Sequence, residues 1–381
     1  MTCVNIKPEI LTWARKRAGL EYDDLRKRFP KLDLWEFGES MPTLKQLEAF
    51  AKAVFIPIGY LFLTKPPEEK MPIPDQRTMG GKLPTMLGPD LLDVIHICQR
   101  RQHWYHTYVK AISEEPHEFV GSMNLSDPID KAALTIRQYL NFSLEMQSSC
   151  ATWAETFRKF TEKIEASGIL VMVSGVVGTN NRRKLNPHEF RGFALADKYA
   201  PLIFINGSDT KAAQIFTLAH ELAHIWLGES ALSDTSLTSQ PSQKIEIWCN
   251  KVAAEFLVPI TALKEYLANR EHPLDAVYDL ARKFKVSTLV ILRRILDAGY
   301  ITKNIFQDAY DRELNILINR PKSGGGDFYL TQEVRASRRF VQALVVSTLE
   351  GQTLFRDAFQ LLGIKKRKTF EEFGARIGVI L

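Results

Sequence analysis

The stretch Gln214-Ile-Phe-Thr-Leu-Ala-His-Glu-Leu-Ala-His-Ile-Trp-Leu-Gly228 contains His-Glu-x-x-His at His220, Glu221 and His224. Four residues apart on an α-helix, His220 and His224 share one face and can offer both imidazoles to a single metal ion. Glu221 is rotated beside them, where a carboxylate can take a proton from water without closing the coordination sphere, as a zinc hydrolase requires. Ile215, Leu218, Ala219, Leu222, Ala223, Ile225, Trp226 and Leu227 make the stretch apolar nearly all round. It therefore predicts a buried helix whose polar residues are those the chemistry needs.

A catalytic zinc needs a third protein ligand and an open fourth position. The next helical stretch, 242–257, offers Glu246 and Glu255. Glu246 shares a face with Cys249, Asn250, Ala253 and Leu257, whose mostly small side chains would let this helix approach the first closely. Glu255 follows Lys251 by one turn, the spacing of a surface ion pair. Glu246 is thus the predicted ligand and Glu255 the solvated alternative. Asn250, one turn beyond Glu246, is placed either to orient a ligand or to tie two helices together.

Upstream of the metal helix the pattern predicts strands at 168–177, 190–197 and 201–206, with a loop over 178–187 and a turn at 197–199. An exposed strand there could pair with an extended substrate. Helical periodicity over 90–111, 128–142 and 151–167 predicts a layer leading into this sheet. Trp104, Tyr105 and Tyr108 lie at helical spacing and read as core rather than as a stacking platform for bases. Downstream, 274–284 and 289–296 have the look of a helix-turn-helix or of a helical bracket for the site. Ser323–Gly326 reads as a glycine hinge, and tail helices are expected near 332–350 and 353–362.

With 381 residues, 45% of them hydrophobic and 25% charged, the chain is long enough for two or three domains and is not of disordered composition. The apolar run 55–63 is too short to span a bilayer and the N-terminus lacks a secretion signal, so no membrane association and a cytoplasmic location are expected. Cys3, Cys98, Cys150 and Cys249 form no C-x-x-C pair, which argues against a disulfide framework or a cysteine zinc site. The net charge of +6 is concentrated in basic runs at 15–17, 26–28, 182–184 and 365–368, which permit contact with nucleic acid or an acidic protein.

Residues 8–63 read as short helices, with Trp35-Glu36-x-Gly38 and Pro42-Thr43-x-x-Gln46-Leu47 following the second. This order resembles the XRE (lambda-repressor-like) helix-turn-helix family, but the span from Gly19 to Trp35 is roughly one helical turn short, and the shortfall lies in the recognition helix. A reader helix needs three or four side chains at base edges, so the module is expected to keep its fold while DNA binding is in doubt. Pro66, Pro67, Pro72 and Pro74 mark an extended linker that closes on Asp75-Gln76-Arg77-Thr78.

The strand Ala200-Pro-Leu-Ile-Phe-Ile-Asn206, the stretch Phe216-Thr-Leu-Ala-His-Glu-Leu-Ala-His224, and Glu246-Ile-Trp-Cys-Asn-Lys-Val-Ala-Ala-Glu-Phe-Leu-Val-Pro259 together resemble the ImmA/IrrE family of metallo-endopeptidases. The resemblance covers about 165–260 and implies Zn2+ held by His220, His224 and Glu246, with Glu221 as catalytic base. It implies an α+β, mostly helical fold: a small zincin-like sheet packed on the HExxH helix, preceded by a helical XRE-like module and followed by a helical C-terminal region. The expected domains are 1–65 (XRE-like), 66–88 (linker), 89–300 (peptidase) and 301–381 (helical). The expected function is cleavage of a protein partner such as a repressor or antitoxin. The alternatives are a DNA-binding regulator or a toxin-antitoxin component whose zinc site is regulatory or inactive. No oxyanion-stabilising residue and no oligomeric state follow from the sequence.

Overall fold

The computed structural model describes residues 3–69, 71–75, 88–233, 244–268, 270–318, 335–376 and 378. They fall into two compact units, the first running to Pro72 and including the stretch that ends at Asp93, the second running from Ile73 and again from Val94.

In the first unit, Pro8 opens α1 (Pro8–Arg17), where its missing N–H costs nothing, and Gly19 at φ +60° ends it. The second helix, α2, is Tyr22–Arg26, and α3 is Leu32–Glu36. Pro30 disfavours helical backbone at the residue before it, in keeping with the break between them. Thr43 and Gln46 form a reciprocal capping box at the head of α4 (Leu44–Ala53), and a 3-10 turn follows at Ile58–Phe62. Ile10, Leu11, Leu25, Phe29, Leu32, Trp35, Leu47 and Phe50 form its core.

The second unit is mostly helical with a small four-stranded mixed sheet and a two-stranded one, an α+β arrangement. Its helical layer comprises α5 (Pro89–Ala111, from Val94 on), α6 (Ile129–Tyr139), α7 (Leu144–Ser149) and α8 (Trp153–Ala166). The strands are β1 (Leu170–Ser174), β2 (Val176–Val177), β3 (Asn180–Lys184), β4 (Gly192–Leu195), β5 (Leu202–Asn206) and β6 (Ala231–Ser233). The main sheet runs β1-β5-β4-β6, with β1 parallel to β5 and the other pairs antiparallel.

Side-chain alternation sorts this sheet into two faces. Val171, Val173, Ala194, Ile203 and Ile205 enter the main core with α9 (Lys211–Leu227). On the other face Phe193 stacks on Phe204 at 5.0 Å, and Met172 meets Cys98 and Arg101 of α5. Two features depart from expectation. The stretch read as the loop 178–187 contains β3, which pairs with β2; its Asn-Asn-Arg-Arg-Lys sequence lacks the apolar alternation that betrays a strand. The edge of the sheet beside β4 is taken by β6, and Leu232 N–H donates to Pro74 O at 3.0 Å while Asp75 bridges Leu232. The end of the proline-rich segment thus lies along the edge where an exposed strand was expected.

Beyond α10 (Lys244–Leu257) and α11 (Ile260–Leu267), the helices α12 (Val277–Phe284) and α13 (Thr288–Asp297) are joined by a tight turn with Lys285 at φ +53°. Val290, Ile291, Leu292, Arg294 and Ile295 of α13 are buried and pack this helix on the core. After α14 (Lys303–Ile318) come α15 (Arg338–Leu349), α16 (Phe355–Leu362) and α17 (Arg367–Arg376), the last starting within the basic run 365–368. Of these, α15 and α16 fasten to α5. Arg101 Nε donates to Leu361 O at 2.9 Å, Arg339 Nε donates to Tyr105 Oη at 2.7 Å, and Trp104 stacks on Tyr108 while meeting Phe340 edge-on. The aromatics of α5 are therefore core.

The expected hinge Ser323–Gly326, the linker close at Gln76-Arg77-Thr78, the first residues of the stretch 242–257 and the start of the tail helix near Gln332 lie outside the described residues. None of the described helices is long and apolar enough to cross a membrane. All four cysteines are free, and only Cys3 is exposed.

Candidate metal centre

Helix α9 is built to be buried. Thr210 Oγ1 accepts from Ala213 N at its head, Gly228 at φ +74° closes its tail, and every residue from Gln214 to Trp226 is buried between the sheet, α8 and α10. Its C-terminal carbonyls find partners in the chain before α6: Gly121 N donates to Ile225 O and Met123 N to Trp226 O. The helix is thus fixed at both ends before any metal is considered.

His220 and His224 present their Nε2 atoms 3.1 Å apart, and Glu246 of α10 closes the triangle, with Oε2 3.3 Å from His220 Nε2 and Oε1 3.2 Å from His224 Nε2. In a tetrahedral zinc site with bonds of about 2.0–2.1 Å, neighbouring ligand atoms stand about 3.3 Å apart. Each imidazole faces one oxygen of the carboxylate near this spacing, and the three residues form the one group among the described residues able to hold a metal ion.

The chemistry of the donors fits the same reading. All three side chains have at most 1% exposure, and neither oxygen of Glu246 has a hydrogen-bond partner of good geometry among the described residues. A buried carboxylate facing two imidazoles without such a bond is costly unless a cation completes the set. Burial pushes the Glu246 carboxyl up, but His220 and His224 outweigh it and hold the group at about 2. Burial also lowers the pKa of His224, keeping that imidazole neutral and able to ligate. Cys249, one turn along α10, is pushed well above its usual range by burial and then by the nearby carboxylates, so it stays a thiol and offers no thiolate.

Glu221 is fully buried beside this triangle, and its position depends on a residue the sequence reading passed over. Gly192 lies on the α9 side of β4, where a Cβ would stand 2.6 Å from Thr217 Cγ2, 2.8 Å from Phe204 O and 3.2 Å from Glu221 Oε1. Only glycine lets α9 come this close to the strand. Gly192 pairs with Ser233 of β6, so the chain's own strand runs past this point of β4.

Glu255, expected in solvent near Lys251, instead pairs with the buried Arg294 of α13, and its Oε1 accepts from Ile260 N at 3.2 Å. It caps the start of α11 and is not drawn to the metal triangle. Asn250 Oδ1 is buried without a hydrogen-bond partner among the described residues, so Asn250 ties no helix through that atom.

Three distant side chains close the C-terminus of α10. Arg137 Nε donates to Phe256 O at 2.7 Å, Gln147 Nε2 to Leu257 O at 3.0 Å, and Arg294 Nε to Val258 O at 2.9 Å. These carbonyls would otherwise be orphaned in the core. The Arg137 guanidinium is lowered by burial to about 10 and stays cationic at neutral pH, favourably placed at a helix C-terminus. No sequence pattern marks these three residues, because their partners lie on backbone up to 119 positions away.

Residues 164–296 match the Peptidase M78 family model, described as the IrrE N-terminal-like domain, and residues 336–376 match a domain of unknown function, DUF8813. No curated protein matches the chain. The first match takes in the whole of α9 and α10, supports the ImmA/IrrE family for that part of the chain, and points to a metallopeptidase-like domain acting on protein.

Proposed function

We propose that the second unit is a zinc-dependent endopeptidase, zincin-like in setting its sheet against the HExxH helix, and that it cuts a regulatory protein such as a repressor or antitoxin. The observation that carries this reading is the triangle of His220 Nε2, His224 Nε2 and Glu246 carboxylate, with edges of 3.1, 3.3 and 3.2 Å, beside the carboxylate of Glu221. His220, His224 and Glu246 hold the ion, which when bound supplies Lewis acidity and an acidified water. Glu221 takes up the proton released by the attacking water and returns it to the departing amine nitrogen. Gly192 keeps the Glu221 carboxylate at its post by letting the helix approach. The first unit, XRE-like in its order of elements, serves in this reading to bring the protein partner to the site, raising its effective concentration.

The test uses the full chain. Metal analysis should find about one zinc per molecule. Glu221→Gln should retain that zinc and its fold while losing at least about a hundredfold in the rate of cleavage of a fluorescein-labelled casein probe. Undiminished cleavage by this variant would remove Glu221 from the mechanism. A chain that binds no zinc would remove the reading altogether.

A further inference from the structure

The first unit carries a cleft whose lining is chemically one-sided. It has a volume of about 580 Å³ and lies between the end of α2, α3 and the face of α4. Phe29 and Trp35, both buried and with rings 6.1 Å apart, form apolar lining, and Arg28, Lys31 and Lys45 supply its charge. The polar side chains of Thr43 and Gln46, also in the lining, are spent on the α4 capping box. No carboxylate lines the cleft, and none lies within 4.0 Å of these three cations among the described residues.

The neighbouring surface adds apolar contact. Leu34 on α3, Phe37 and Met41 on the turn after it, and Leu44 at the head of α4 are all exposed, with Phe37 at 78% and Met41 at 55%. These are four exposed large apolar side chains within eleven residues of chain that also contribute Trp35 and Thr43 to the cleft. Charge complementarity then selects the partner, since unpaired cations around an aromatic floor favour a segment that is acidic as well as apolar. Duplex DNA fits less well, because α3 is only five residues long, too short to bring three or four side chains to base edges; Asp33 and Glu36 on it are engaged by Arg26 and Arg15.

We propose that this cleft and the adjoining apolar surface dock an acidic peptide segment carrying aromatic or aliphatic anchors. Docking is independent of the hydrolytic reading, because it needs no metal and no turnover. It is measured on the full chain by fluorescence anisotropy with a fluorescein-labelled short peptide of alternating Asp or Glu with Leu or Trp. Zinc-free and zinc-loaded protein should bind this probe equally, and raised salt should weaken the complex. Arg28→Gln/Lys31→Gln/Lys45→Gln and, separately, Phe37→Ala/Met41→Ala should each weaken it at least about tenfold while leaving the far-UV circular dichroism and zinc content unchanged. The same peptide with Lys in place of its acids should not bind. Failure to bind the acidic probe, affinity unchanged in both variants, or tighter binding to a random-sequence DNA duplex that depends on the same three cations would overturn the proposal.

Discussion

Gly192 on β4 lies against the carboxylate of Glu221 on α9, so close that a Cβ there would stand 3.2 Å from Oε1 and closer still to Thr217 Cγ2 and Phe204 O. Replacing a hydrogen by a methyl at this point forces the helix and strand apart. Gly192→Ala should destabilise the chain by about 1–3 kcal/mol in denaturant titration, the usual scale of overpacking. Adding Thr217→Ser removes one of the two closest obstacles and should restore only part of the loss, because the Phe204 carbonyl is backbone and remains. A neutral Gly192→Ala would show that the interface yields freely.

The proposed metal ligands should separate cleanly from their neighbour Glu255. His220→Ala, His224→Ala and Glu246→Ala should each abolish stoichiometric zinc, whereas Glu255→Ala should keep it. The Glu255 variant should nonetheless lose about 1–3 kcal/mol of stability, because it takes from the buried Arg294 guanidinium the nearer of its two carboxylates and leaves Asp297 at 3.5 Å. Zinc lost from Glu255→Ala but retained by Glu246→Ala would reverse the assignment.

Zinc itself should stabilise the fold by linkage. At a free concentration a hundredfold above its dissociation constant, the gain is about 2.7 kcal/mol. Melting in the presence of a chelator should therefore shift downward for the parent chain and stay put for His224→Ala. A chelator effect of equal size in both would place the stabilising ion elsewhere.

Glu165 gives a pH test at the junction of α8 and α15. Its Oε1 accepts from Ser337 Oγ and from Arg338 N, yet burial raises its carboxyl above the ordinary value, an effect those hydrogen bonds only partly offset. A folded-state pKa raised above the unfolded value means stability that is complete below about 4.5 and is lost as pH rises through the folded value. Glu165→Gln keeps an acceptor at Oε1 and carries no charge. It should melt higher than the parent at pH 7.5, with the advantage shrinking toward pH 4.5, as read by parallel thermal scans. A difference independent of pH would show that ionisation of Glu165 costs the fold nothing.

Geometry that depends on local spacing was legible in the sequence, and geometry that depends on distant packing was not. His220 and His224 are brought together by four residues of helix, and Glu246 by the next helix in the chain, so the periodicity of one segment and the small residues of another suffice to propose the triangle. The sheet was legible where its strands are buried and apolar, as in β1 and β5, and illegible where a strand is polar and exposed, as in β3, or only three residues long, as in β6. Glu255 was misjudged because Lys251 is near in sequence while Arg294, its partner, is 39 residues away. Gly192 gave no signal at all, since a glycine in a strand says that something approaches without saying what.

The closure of α10 by Arg137, Gln147 and Arg294 sets the smallest piece of this chain that can stand alone. The stretch 164–296 contains every proposed metal ligand, but Arg137 and Gln147 lie ahead of it, on α6 and α7. Excised at those limits, the helix bearing Glu246 would end with Phe256 O and Leu257 O stripped of their donors in an apolar interior. The recognisable motif therefore draws on more polypeptide than it spans. Any transplant of this centre into another scaffold has to carry α6 and α7 with it.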